Sequence, residues 1–109
     1  MDPAMDETSF DQAARDELHA IEDGLSDIDP DDVEISTSDG ILRLDLRDGT
    51  KVVINSHRAA RQIWMAAVST AWHFDPSPEG RWIATKTGDD LRRTVTALLA
   101  QHAGVTVAL

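Results

Sequence analysis

The chain has no cysteine. That excludes disulfides, thiolate metal ligands, cysteine nucleophiles and iron–sulfur ligation by its own thiols. It also lacks any apolar run near the roughly 20 residues that span a bilayer, so no membrane helix is expected. Basic residues are scarce in its first half. Residues 1–48 hold three Lys/Arg against sixteen Asp/Glu (−13), while residues 49–109 hold seven against four (+3), which together give the overall −10. Nucleic acid attracts cationic surfaces, so it is not an expected partner; cations and basic proteins are. The opening MDPAMDETSF carries no basic n-region, so neither a secretory signal nor an Arg-rich transit peptide is expected, and the cytoplasm is the expected compartment. With 109 residues and no internal boundary, a single domain over 1–109 is expected, its first six residues flexible.

What the chain does have is acid, concentrated from Glu22 to Glu34. Seven of these thirteen residues are carboxylates: Glu22, Asp23, Asp27, Asp29, Asp31, Asp32 and Glu34. Like charges this dense repel one another on a folded surface. Two readings stand side by side. One is a solvated face that keeps the protein soluble. The other is a site for a hard cation or a basic partner, because clustered oxygen ligands suit both. Asp27, Asp29 and Asp31 have the spacing of the first half of an EF-hand loop. That loop requires Gly at its sixth position and Glu at its twelfth, where this chain has Asp32 and Ser38. An open carboxylate surface, binding cations weakly, is the reading left.

The pattern around this stretch predicts the fold. Phe10, Ala14, Leu18, Ile21 and Leu25 recur at steps of four and three and predict an amphipathic helix over about 7–26. Ser9 with Gln12 suits a capping box, with Asp6 as a competing N-cap. Asp16, Asp23 and Asp27 then fall opposite the apolar stripe. Short strands follow at 33–35, 41–46 and 51–55, with an Asp39-Gly40 turn between the first two. The second turn permits a register test. A three-residue loop with Gly49 in the left-handed position sets Leu44 opposite Val52 and Leu42 opposite Ile54, and Asp45 opposite Lys51 on the other face. A two-residue loop would place Lys51 among the leucines, so the longer loop is predicted.

A fourth strand, 62–68, puts Ile63, Met65 and Ala67 on one face and Gln62 and Trp64 on the other; with the aliphatic face inward, as predicted, Trp64 stands on the outer face, and with the opposite parity it belongs to the core. An exposed Trp on a rigid sheet is a typical protein-binding anchor. Residues 71–75 and 81–85 predict a hairpin, with His73 facing outward near Trp64. A second helix follows, with Thr87 as N-cap, Asp90 near its third position and Leu91, Val95, Leu98 and Leu99 as its stripe. Gly104 ends it, and residues 105–109 pack back on the domain. The predicted architecture is α+β: a two-layer sandwich with two helices on one face of a five- to six-stranded, mainly antiparallel sheet.

The four histidines show neither HxH nor HExxH spacing. His19 lies one turn before Asp23, where it lends a nitrogen to the acidic ridge or is simply solvated. His102 is expected at a helix end. No arrangement of serine, histidine and acid, and no phosphate-cradling glycine loop, is present, so nucleophilic catalysis is not expected.

The acidic first helix, the Asp48-Gly49 hairpin running into KVVIN, the segment from Asn55 to Gln62-Ile63-Trp64, then WHFD, RW and a second helix together resemble the frataxin family. Its bacterial branch, CyaY, is the nearest in length, and the resemblance covers about residues 8–104. It implies the same helix–sheet–helix sandwich and a non-enzymatic, iron-binding accessory role in iron–sulfur cluster assembly. The implied partners are the cysteine desulfurase and the scaffold protein. The implied iron ligands are Glu22, Asp23, Asp27, Asp29, Asp31 and Asp32, holding Fe(II) or Fe(III) weakly at the surface. The implied partner face is Asn55, Gln62 and Trp64. A monomer is expected, with oligomers only in the presence of iron. Ferroxidase or iron-storage activity, and an acidic adaptor without metal, are the alternatives. The chain departs from the family in having His57 in place of Gln and Ala59 in place of Pro. Ser26 replaces an acid, and Gly24 softens the helix end.

Overall fold

In a computed structural model, described over residues 6–109, the chain forms α1 (Glu7–Gly24), β1 (Val33–Ser38), β2 (Ile41–Leu46), β3 (Lys51–His57), β4 (Gln62–Ala67), β5 (Thr70–Pro76), β6 (Trp82–Ala84) and α2 (Leu91–Ala103). The expectation of a flexible start falls almost wholly on residues 1–5, outside the described residues. The strands form one sheet in the order β1-β2-β3-β4-β5-β6, every pair antiparallel. This is the predicted α+β sandwich, with six strands. Among the described residues no helix is long and apolar enough to cross a membrane.

The core follows from the predicted parities. Phe10, Ala14, Leu18, Ile21 and Leu25 on one helix and Leu91, Val95, Leu98 and Leu99 on the other are all buried. They meet Leu42, Leu44, Val52, Ile54, Ile63, Met65 and Phe74 in one apolar cluster. Alternating neighbours on each strand therefore point away from the helices. Val105, Val107 and Leu109 pack against the same cluster, so the tail folds back as expected. Gly24 has a use the sequence did not reveal: a Cβ there would overlap Leu109 Cδ2.

Three turns fix the register. Asp39 and Gly40 both take positive φ, the two-residue turn whose twist matches its strands. Gly49 has φ 93°, and Leu46 N–H donates to Thr50 O (2.8 Å), so the loop has three residues as predicted. Leu44 lies opposite Val52, Leu42 opposite Ile54, and Lys51 Nζ reaches Asp45 Oδ1 at 2.9 Å. Val68 and Ser69 both sit in the left-handed region without a glycine, a strained arrangement for β-branched valine. This turn pairs Ala67 with Thr70 and so sets Trp64 directly opposite His73.

At the helix starts, one of the two caps expected for α1 is realised, and the cap of α2 differs from expectation. Asp6, not Ser9, caps α1, its carboxylate accepting from Ser9 N–H at 2.7 Å. That bond holds the Asp6 carboxyl below its usual value. Asp90, not Thr87, caps α2 by accepting from Arg93 N–H. Gly88, at φ 78°, interrupts the chain after Thr87, and Ala84 N–H binds Asp89 O at 2.8 Å. The backbone is thus still in a turn where a Thr87-capped helix would begin. Thr87 Oγ1 instead donates to Asp89 Oδ2.

Candidate functional site

The acidic ridge begins where α1 ends. Helical periodicity points its apolar stripe inward, so the acids between stripe positions face solvent. Asp23 and Asp27 are exposed, as are Asp29 and Asp31 in the loop before β1; Glu22 and Asp32 are half-buried. The loop is self-supporting. Asp29 Oδ1 accepts from Asp31 N–H (2.9 Å), Asp29 O accepts from the N–H groups of Asp32 and Val33, and Ser26 Oγ donates to Asp23 O. Asp32 pairs with Arg47 at 3.1 Å.

Three of the six predicted ligands are therefore occupied or partly covered. The other three, Asp23, Asp27 and Asp31, have no side-chain partner among the described residues. Nowhere among the described residues do three His or carboxylate side chains converge closely enough to hold a metal ion. The ridge is a surface of separate acids, and a cation there would keep most of its water.

His19 is exposed. It lines a groove of about 500 Å³ between α1 and the β1–β2 turn, together with Arg15, Glu22 and Asp39. Glu22 thus faces a mixed-charge groove as well as the ridge.

The second candidate site is on the opposite, helix-free face of the sheet. The register sets Asn55 beside Trp64, and Gln62 lies on the same parity as Trp64, so the three predicted residues do come together. Trp64 faces outward as its parity predicts, but it does not stand free. His57 stacks on one face of its indole (centroids 3.8 Å apart, planes at 18°) and His73 on the other (4.2 Å, 12°). Trp64 Nε1 donates to Gln62 Oε1 at 2.8 Å, and Gln62 Nε2 donates to Asp75 Oδ1 at 3.0 Å. The expectation of an exposed anchor is thereby corrected to a half-buried one, clamped on both faces by imidazoles and held at its edge by an amide. His57 Nδ1 is buried without a hydrogen-bond partner.

His73 was legible from strand parity. His57 was not, because its contact crosses the β3–β4 pair diagonally and depends on the register. The turn between these strands is a single 3-10 turn, residues 58–60, where the Arg58 guanidinium binds Asp11 of α1 at 3.1 Å. An ion pair thus ties down a turn that carries Ala59 in place of proline.

Two further polar contacts lie away from both sites. Glu17, the single buried charged residue among those described, receives two hydrogen bonds from Arg92: Nε to Oε2 at 2.9 Å and Nη2 to Oε1 at 2.8 Å. That contact raises the Arg92 pKa. His102, at the end of α2 as expected, places Nδ1 2.7 Å from Asp48 Oδ2 and 3.2 Å from Thr50 Oγ1. Hydrogen bonds from Thr50, then His102, pull Asp48 down to a pKa of about 2.

Residues 3–105 match the frataxin-like domain family. The iron–sulfur cluster assembly protein CyaY of Cupriavidus pinatubonensis is 33% identical over 110 residues, covering 98% of each chain. CyaY of Vibrio cholerae is 33% identical over 99 residues, 91% of this chain and 93% of its own. Among solved structures, frataxin from Psychromonas ingrahamii superposes with a TM-score of 0.86 at 26% identity, over 94% of this chain and 96% of its own. Trimeric frataxin from Saccharomyces cerevisiae, complexed with ferrous iron, gives 0.68 at 26% identity, over 96% and 92%.

Proposed function

We propose that this chain, which belongs to the frataxin-like family, is a non-enzymatic accessory protein of iron–sulfur cluster assembly that carries iron loosely on its acidic ridge. Its setting is the cytoplasm, and its partners are the cysteine desulfurase and the scaffold protein. The observation that carries this reading is the state of Asp23, Asp27 and Asp31: solvent-facing, without a side-chain partner among the described residues, at the end of α1 and in the loop that follows it. Fe(II) or Fe(III) held there through water can leave quickly, which suits delivery or sensing better than storage. Redox turnover needs a metal held by several converging ligands, and the ridge offers separate ones. The same carboxylates suit a basic patch on the desulfurase, so iron and partner meet on one surface.

The outer sheet face is the second contact in this proposal. Trp64, fixed by His57, His73 and Gln62, presents a rigid edge beside Asn55. A side chain already ordered loses little freedom on binding, so its buried area converts efficiently into affinity.

An anaerobic Fe(II) titration followed by two-dimensional amide NMR tests the iron role. Broadening confined to about residues 16–34 is expected, and absence of change at millimolar Fe(II) would reduce the protein to a binding module. Simultaneous charge reversal of Asp23, Asp27 and Asp29 is expected to abolish desulfurase binding; wild-type affinity would remove the ridge from docking.

A further inference from the structure

A groove of about 650 Å³ runs between α2, the β5–β6 turn and the C-terminal tail, and it shares no residue with the ridge or with the Trp64 face. Three of the chain's ten Lys/Arg line it: Arg81, Arg92 and Arg93. Glu17 and Asp90 line it too, so three guanidiniums stand against two carboxylates, a small positive excess in a protein of net charge −10. Two of these guanidiniums are held by the groove's own carboxylates. Arg81 Nε binds Asp90 Oδ2 at 2.6 Å, and Arg92 binds Glu17 through Nε and Nη2, while the Nη groups of Arg81 and Nη1 of Arg92 have no partner among the described residues. Arg93 is exposed and has no ion-pair partner among the described residues. Guanidiniums held in this way are pre-organised for carboxylates.

The rest of the groove suits a peptide more than a small anion. On its helix wall, Ala97 and Ala100 are exposed and small, so a backbone can approach closely. Across from them the tail runs without regular structure, and among the described residues no backbone hydrogen bond is made by residues 106–109. Its backbone N–H and C=O groups are therefore free of other backbone partners and can bond an added extended segment. Val107 and Leu109 supply apolar contacts beside it.

We propose that this groove binds an extended acidic segment of a partner protein, its carboxylates on Arg93 and Arg81 and its backbone along residues 106–109. At physiological salt, charges more than about 8 Å away are largely screened, and the groove's own acids, Glu17 and Asp90, are matched by Arg92 and Arg81, so Arg93 is the unmatched local charge. The protein would then engage partners of opposite charge on separate surfaces.

The test is amide NMR of the full chain with a short capped peptide alternating Glu with Ala and Leu, and with the same peptide carrying Lys in place of Glu. Expected are shifts confined to about residues 80–82, 92–100 and 105–109 with the Glu peptide, and none there with the Lys peptide. Arg93→Glu, at an exposed site, and independently Ala97→Glu, are each expected to weaken binding about tenfold. The proposal fails if no shifts occur up to about 1 mM peptide, a limit that corresponds to roughly 4 kcal/mol of affinity. It also fails if shifts fall elsewhere or if both variants bind like wild type. Equal occupancy by glutarate at matched carboxylate concentration would mark a small-anion site and overturn the peptide assignment.

Discussion

Glu17 and Asp23 lie on the same helix, six residues apart in sequence, and meet opposite fates. Glu17 points towards α2, is buried, and is matched by two hydrogen bonds from Arg92. Asp23 points to solvent at the helix end and is matched by nothing among the described residues. The contrast shows that acid content alone says little about what an acid does. A carboxylate out of water needs a donor for each oxygen, and the fold supplies them. A carboxylate in water needs none, and clustering it with others becomes useful only if something cationic arrives. Asp48 and Asp32 lie between the extremes, surface acids with partners.

Removing Arg92 should break the contrast most sharply. Arg92→Met leaves Glu17 buried and unmatched and is expected to lower the unfolding free energy by about 2–3 kcal/mol, below the value for a fully buried pair because Arg92 is partly solvated. Urea denaturation measures it. Replacing both partners by Met should recover most of the loss, since the deficit comes from the stranded charge. At the other extreme, changing Asp23, Asp27 and Asp31 together to Asn removes repulsion but no native contact. Stability should hold or rise by up to about 1 kcal/mol, while amide broadening by Fe(II) disappears. A substantial loss of stability would mean that the ridge acids are structural.

The intermediate cases sharpen the comparison further. Asp48 has a folded pKa of about 2, below the value of about 4 that an unfolded chain gives. The unfolded state therefore binds more protons between these values, so the group's contribution is fully present above about pH 4 and fades as pH falls towards 2. Urea midpoints of wild type and Asp48→Asn should differ at neutral pH and converge over that window. Arg47→Ala, which releases Asp32 at the surface, should change stability by no more than about 0.5 kcal/mol, measured in the same titration.

Much of this was legible because local signals agreed. The Leu42/Leu44/Leu46 alternation, the single glycine at position 49 and the need to keep Lys51 out of the core together determine one register, which is the one observed. The parity of Ile63, Met65 and Ala67 set Trp64 on the outer face. The sequence was silent where partners are distant in the chain. Glu17 reads as one more acid on an acidic helix until Arg92, 75 positions away, closes on it. His57 reads as a loop residue until β4 places an indole against it. The α2 cap is ambiguous in the sequence because Thr87 and Asp90 are both good capping residues, and the left-handed Gly88 decides between them.

The order of the sheet has a consequence for how the molecule folds. Every strand pairs with its neighbour in sequence, so the sheet assembles as successive hairpins, each closing a short loop. The long closure is the one that brings the two terminal helices together through Glu17 and Arg92. If that contact forms after the rate-limiting step, its loss should speed unfolding and leave refolding nearly unchanged, so the helix layer would govern the lifetime of the native state while the meander governs how fast it is reached.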